Sequence, residues 1–246
     1  MCGIVGIFGE NELSNLDNCI EKMTETLLHR GPDSSGTWVD QENKIALGHR
    51  RLSILELSEA GHQPMESSCG RFVLSFNGEI YNHLDLRKKF EKISEVDNKN
   101  PSFNWRGGSD TETLLALIEA DGVAAALEQV VGMFAFALWD RKEKSLYLVR
   151  DRMGEKPLYY GWQKGVLLFG SELKALKAHP AFDGEVDRGS IALQLRHNCI
   201  PAPYSIYKGI KKLLPGAFLN QAAQKEMLWP HWPDEYLFLR VLWPQF

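Results

Sequence analysis

Cys2-Gly3-Ile4-Val5-Gly6-Ile7-Phe8-Gly9 stands directly behind Met1. A short apolar run bounded by glycine reads as a buried strand, and Cys2 lies at its very start. Removal of Met1, which the small Cys2 and Gly3 favour, is expected to leave an α-amine and a thiol on one residue. The amine titrates near ~7.7–8.0 and the thiol near ~8.5, so the pair can exchange a proton at cellular pH. A nucleophile and its general base then share a residue, a recognised route to covalent catalysis. Taken alone, a second-position cysteine is more often an incidental small residue opening a strand. The glycines follow G-x-x-G-x-x-G and no glycine pair opens a helix, so the run is not a dinucleotide fingerprint.

The 246 residues suit one large domain or two small ones, and 44% are apolar, as a packed core requires. A net charge of −4 gives no reason to expect nucleic acid as a partner. The densest basic cluster, Lys208, Lys211 and Lys212, reads as a solvated face. The longest apolar run, Val130 to Trp139, is about half the ~20 residues of a membrane helix, and no secretory leader pattern appears. Cys2, Cys19, Cys69 and Cys199 lack paired spacing, and the seven histidines are dispersed. Reduced thiols in a cytoplasm are expected, with no metal centre.

Ser14 with Asp17 matches a capping box ahead of Leu16, Cys19, Ile20, Met23 and Leu27 at helical spacing. Cys19 on that stripe reads as core. Strands are predicted at Ile45–Leu55 and Arg71–Phe76, a helix from near Asn82, and a loop over Glu95–Gly108. Ser109 and Glu112 form a second capping box leading into Leu114–Ile118, followed by a helix at Ala124–Val130. Two hairpins follow, Val131–Trp139 with Leu146–Val149 and Pro157–Trp162 with Val166–Phe169. Short helices are predicted at Ser171–Lys177 and Arg188–His197. Strands interleaved with helix pairs, without βαβ alternation, favour a layered α+β domain.

Four further segments accompany Cys2: His29-Arg30-Gly31-Pro32-Asp33, Arg50-Arg51-Leu52-Ser53-Ile54, Asn77-Gly78-Glu79-Ile80-Tyr81-Asn82 and Gly107-Gly108-Ser109-Asp110. Together these resemble the glutaminase domain of class II glutamine amidotransferases, which are N-terminal-nucleophile hydrolases. The R-L-S-I and N-G-E-I-Y-N stretches are similar to the branch of glutamine-hydrolysing asparagine synthetase. The likeness continues through Gly132–Ala137, Arg150-Asp151-Arg152, Lys156–Tyr160 and Gly170–Lys174, and reaches about Leu219. It implies an αββα sandwich of two layered antiparallel sheets over residues 2–219.

The resemblance also implies roles. The Cys2 thiol would attack the side-chain amide of L-glutamine, releasing ammonia and leaving a thioester for water to cleave, with its own α-amine moving the proton. Asn77 and Gly78 would donate to the developing oxyanion, although Asn-Gly alone is a strong hairpin-turn signal. Arg51 would meet the substrate α-carboxylate with a guanidinium fork; only the R-L-S-I match selects it over Arg50, and alone it reads as a surface arginine. Leu52, Ile54 and Leu55 would line the pocket. Asp110, assisted by Glu79, would hold the substrate ammonium, against its plain reading as a helix first-turn acid. His29, Arg30 and Asp33 read as structural, and Asp151 with Arg152 as a buried ion pair or loop clamp.

Asparagine synthetases carry a second domain with an S-G-G-x-D-S pyrophosphate loop, and the chain contains neither that loop nor G-x-x-x-x-G-K-[ST]. No cofactor is expected here, ATP and magnesium being expected only for the missing synthetase domain, so the chain reads as a fragment, a truncation or a subunit that needs a separate synthetase. Residues 220–246 form an aromatic tail with Trp229, Trp232 and Trp243. It either packs on the domain or marks a truncated or frame-shifted chain. Two rival readings stand: the glutaminase part of a surface-polysaccharide amidotransferase, and a glutamine-binding remnant without turnover.

Overall fold

The computed structural model describes residues 1–9, 15–96, 104–221 and 225–228. Its strands form two antiparallel sheets of six. One holds β10 (Lys211–Lys212), β8 (Tyr159–Gln163), β9 (Val166–Gly170), β1 (Gly3–Gly9), β3 (Ile45–Arg51) and β2 (Ser34–Asp40) in spatial order. The other holds β12 (Lys225–Leu228), β11 (Ala217–Asn220), β7 (Ser145–Arg150), β6 (Gly132–Asp140), β5 (Phe72–Ile80) and β4 (Met65–Glu66).

Strand period two sorts the apolar residues into layers. Ile4, Ile45, Leu47, Val73, Ala135, Ala137, Trp139 and Phe169 fill the space between the sheets. The opposite faces of the first sheet, Val5, Ile7 and Ala46 among them, pack on α1 (Leu16–Glu25) and α4 (Leu173–Lys177), with Cys19 in that core. Leu74, Phe76, Phe134 and Phe136 pack against Leu114, Leu115 and Ile118 of α3 (Asp110–Gln129) and Leu86 of α2 (His83–Val96). The four layers are the αββα sandwich that the motif resemblance implies. α5 (Arg188–His197) follows at the surface with only Ser190 buried. No helix among the described residues is long and apolar enough to cross a membrane.

Several local expectations need correction. Asn77-Gly78 lies inside β5 rather than in a turn, because both residues stay in register with Ala135 and Phe134 of β6. The strand expected over Ile45–Leu55 stops at Arg51, where pairing with β2 ends at Ser34. Strand β2 was not anticipated, since Ser34-Ser35-Gly36-Thr37 lacks an apolar alternation. α1 is capped by Asn15, whose side chain accepts from Asn18 N; Ser14 lies outside the described residues, as do 97–103 of the expected loop. The two helices expected over Leu114–Val130 are joined with a break at Gly122, whose φ of 80° suits glycine. Lys208 is exposed, but Lys212 is half-buried and donates to Ile200 O, so the basic cluster is not one solvated face. Strand β12 pairs with β11 beyond Leu219, extending the sheet into the start of the tail; residues 229–246 lie outside the described residues.

The β5–β6 pair, which carries Asn77 and Gly78, is tied at its far end by an ion pair. Arg71 donates through Nε to Asp140 Oδ1 (2.9 Å) and through Nη2 to Oδ2 (2.6 Å), and Asp140 also accepts from Lys142 and Glu143 N–H. Burial alone would raise the Asp140 carboxyl; the guanidinium and the turn N–H groups outweigh it and hold it below its ordinary value. A depressed folded pKa gives stability that is present above the unfolded value of about 3.9 and lost as pH falls through the folded one. Arg71→Ala is therefore expected to lower Tm at pH 7, with the gap to the parent closing below about pH 4 in thermal melts. An equal gap at pH 7 and pH 3 contradicts this.

Candidate active site

The site grows from an uncovered strand edge. Along β5, odd-numbered residues bond toward β6: Arg141 N donates to Arg71 O (2.9 Å) and Tyr81 N to Val131 O (2.7 Å). Even-numbered residues turn their N–H and C=O to the opposite edge, as antiparallel pairing requires. Strand β4 covers that edge only beside Val73 and Leu74. Beyond it, side chains take over. Gln63 Oε1 accepts from Phe76 N (2.6 Å), His49 Nε2 donates to Phe76 O (2.9 Å), and Asp110 Oδ2 accepts from Ile80 N (2.8 Å). Gly78 stands between these two on the same edge and lines a cavity. It must be glycine, because a Cβ there would lie 2.3 Å from Met133 O and 2.5 Å from Phe134 Cβ.

Parity brings the thiol and the amide together. Val73 packs between the sheets and Ser75 Oγ donates to Gly48 O (3.1 Å), so odd side chains of β5 face the first sheet. Asn77 follows them. On β1, Ile4 packs in the same layer, and Cys2 shares its parity. Both line the cavity where the inter-sheet space opens. Asn77 is 1% exposed, and its Nδ2 is buried without a hydrogen-bond partner. An orphaned buried donor costs stability and calls for an explanation.

Cys2 is anchored on its main chain. Arg30 Nε donates to Cys2 O (2.8 Å) while Arg30 Nη1 donates to Glu172 Oε1 (2.9 Å). Glu172 also meets His29 Nε2 at 3.0 Å. Leu52 N donates to Cys2 Sγ at 3.4 Å, and Sγ lies 3.6 Å from Leu52 O. Burial pushes the thiol above its ordinary pKa; the Leu52 N–H, the terminal ammonium and the Arg51 cation oppose this, and Asp110 adds to it. Met1 also lines the cavity, with Sδ 3.5 Å from Lys156 Nζ, so the chain's first residue occupies space beside the thiol.

Arg51, at the end of β3, is only 8% exposed. It donates to Ser58 O (3.1 Å) and to Glu56 O, bracing the loop that follows the strand. In that loop Leu52 touches the thiol while Ile54 and Leu55 remain largely exposed at the cavity rim. Ser53 N donates to Asp33 Oδ2 (2.8 Å). Glu56 accepts from Gly108 N (2.7 Å) and from Ser58, bonds that hold its carboxyl down at about 2 and tie this loop to the one before α3. Across the cavity, Asp110 opens α3 and accepts from Ile80 and Thr111 N–H, with Glu79 beside it. Burial raises the Asp110 carboxyl against those two N–H groups, so a cation bound there would relieve it.

A family profile for the glutamine amidotransferase domain matches residues 1–232. The chain belongs to the glutamine amidotransferase domain family. It is 35% identical over 241 residues to glutamine-hydrolyzing asparagine synthetase 3 of Bacillus subtilis, covering 96% of the chain and 37% of that protein. Glutamine-hydrolyzing asparagine synthetase 1 of the same organism is 36% identical over 220 residues, covering 88% and 33%. The chain thus spans about a third of the length of these curated relatives. Its fold matches B. subtilis glutamine phosphoribosylpyrophosphate amidotransferase with a TM-score of 0.63 at 20% identity, over 93% of the chain and 49% of that structure.

Within this amidotransferase domain the cavity is lined by all nine residues singled out from the sequence: Cys2, Arg51, Leu52, Ile54, Leu55, Asn77, Gly78, Glu79 and Asp110. Asp151 accepts from Phe134, Met153, Glu155 and Lys156 N–H, while Arg152 donates to Val130 and Leu127 carbonyls at the end of α3. They are loop clamps. Sequence reasoning missed Gln63, Glu56 and Lys156 as cavity residues. Lys156 stands in a matched motif, Lys156–Tyr160, but nothing local marks which of its side chains face the site.

Proposed function

We propose that this domain hydrolyses the side-chain amide of L-glutamine to glutamate and ammonia, with Cys2 as nucleophile. Loss of Met1 frees the Cys2 α-amine, which accepts the thiol proton as sulfur adds to the amide carbon. The oxyanion is met by the Asn77 amide and the Gly78 N–H. The amine returns its proton to the departing nitrogen, and ammonia leaves. Water then cleaves the thioester, regenerating the thiol and releasing glutamate. The Arg51 fork meets the α-carboxylate and Asp110, with Glu79, the α-ammonium. The observation that carries this reading is a cation and an anion, Arg51 and Asp110, facing one cavity with a thiol and an unpaired buried amide.

The released ammonia is proposed to amidate aspartate, after the names of the relatives, in an acceptor domain that uses ATP and magnesium and is joined to this one or supplied separately. Four free cysteines suit a cytoplasmic setting. The reading is tested by assaying ammonia from glutamine with the parent chain and Arg51→Ala. Losing a charge-assisted contact made equally to substrate and transition state raises KM by roughly 10–100-fold with kcat little changed. An unchanged KM removes Arg51 from this role; a parent chain that releases no ammonia removes the reading.

A further inference from the structure

We propose that His49 and Gln63 are positioning residues that hold the C=O and N–H of Phe76 on the open edge of β5 and so hold the Asn77 amide and Gly78 N–H in place for the oxyanion. The proposal rests on the glutamine-hydrolysis reading above.

Strand β4 pairs Met65 with Leu74, so the next residue facing that edge, opposite Phe76, is Gln63. Backbone pairing has stopped there, and the Gln63 side chain supplies the missing acceptor at 2.6 Å from Phe76 N. Its Nε2 reaches Thr111 Oγ1 at 3.4 Å, and Thr111 N donates to Asp110 Oδ1 at 2.8 Å. One side chain therefore links the oxyanion strand to the residue proposed for the substrate ammonium. From the first sheet, His49 of β3 donates to Phe76 O at 2.9 Å across the inter-sheet layer. Phe76 is immediately followed by Asn77 and Gly78, so both clamps hold the residue next to the proposed oxyanion donors.

A packing role alone does not account for His49. The ring is wholly buried, and its Nδ1 has no hydrogen-bond partner. A leucine would fill similar space without that orphaned atom, whose burial costs free energy. What the imidazole adds is one N–H aimed at the Phe76 carbonyl. Burial, ahead of the neighbouring cations, drives its pKa down to about 3, so the ring stays a neutral donor through the working pH range.

The test compares His49→Leu and His49→Gln with the parent chain, measuring kcat and KM for ammonia release, glutamine affinity by calorimetry, and thermal melting. In His49→Leu, kcat is expected to fall about 10–100-fold, a fraction of the 10²–10³ that losing a whole oxyanion donor costs. KM and glutamine affinity stay within about twofold, since the amino acid head is held elsewhere. His49→Gln, which places an amide N–H near the same carbonyl, recovers most of kcat. If His49→Leu does not fold, Gln63→Met is read in the same way. Parental kcat in a folded variant overturns the proposal, as does a parallel loss of affinity, or a glutamine variant no better than leucine. A parent chain inert toward glutamine overturns the underlying reading instead.

Discussion

Cys2→Ala is expected to bind glutamine with an affinity within a few-fold of the parent and to release ammonia at least on the order of 10⁴-fold more slowly, as loss of a covalent nucleophile does. The split follows from the division of labour in the cavity. Recognition is proposed to fall to Arg51 and Asp110, whereas the sulfur is hydrogen-bonded to the Leu52 backbone. Burial already raises the thiol pKa, so little free thiolate exists near neutral pH and the reaction depends on a base adjacent to it. Calorimetry and an ammonia assay on one preparation check both halves. Retained turnover would assign the nucleophile elsewhere, and lost binding would place the sulfur in recognition.

Asn77→Ala should give the opposite of an ordinary core substitution. The side chain is almost wholly buried, and truncating a buried residue normally destabilises by several tenths to a few kcal/mol. Here Nδ2 has no partner, so alanine removes an uncompensated polar atom as well as packing. Tm is expected to stay level or rise, while kcat falls about 10²–10³-fold and KM changes little. Functional sites are where a fold tolerates a locally unfavourable group. A large drop in Tm with proportionate loss of glutamine binding would make Asn77 a structural residue and leave the oxyanion without its side-chain donor.

The layered architecture was legible because buried apolar runs and helix spacing leave a direct trace in Gly3–Gly9, Val131–Trp139 and Leu16–Leu27. Strand β2 was not, since an edge strand of serine, glycine and threonine half-exposed to solvent carries no apolar signature. Asn77-Gly78 shows the limit of local chemistry. The dipeptide favours a turn, yet nine residues of β5 in register with β6 override it, and the missing Cβ is needed for strand approach rather than for a bend. The nine site residues came from matched motifs; spacing alone would have left Arg51 on a surface and Asp110 as a helix-capping acid. Gln63 and His49 escaped notice because their importance depends on how far β4 extends, a tertiary fact with no sequence signal.

In the proposed mechanism, catalysis needs a free amine on the residue that bears the thiol. Met1 here blocks that amine in a peptide bond and occupies the cavity beside Lys156. The decisive measurement is intact-mass spectrometry on protein assayed for ammonia release, beside a form whose N-terminus is extended so that Met1 stays. Active protein is expected to begin at Cys2, and the extended form to bind no substrate productively and to release no ammonia. Turnover at the parental rate with Met1 in place would contradict it.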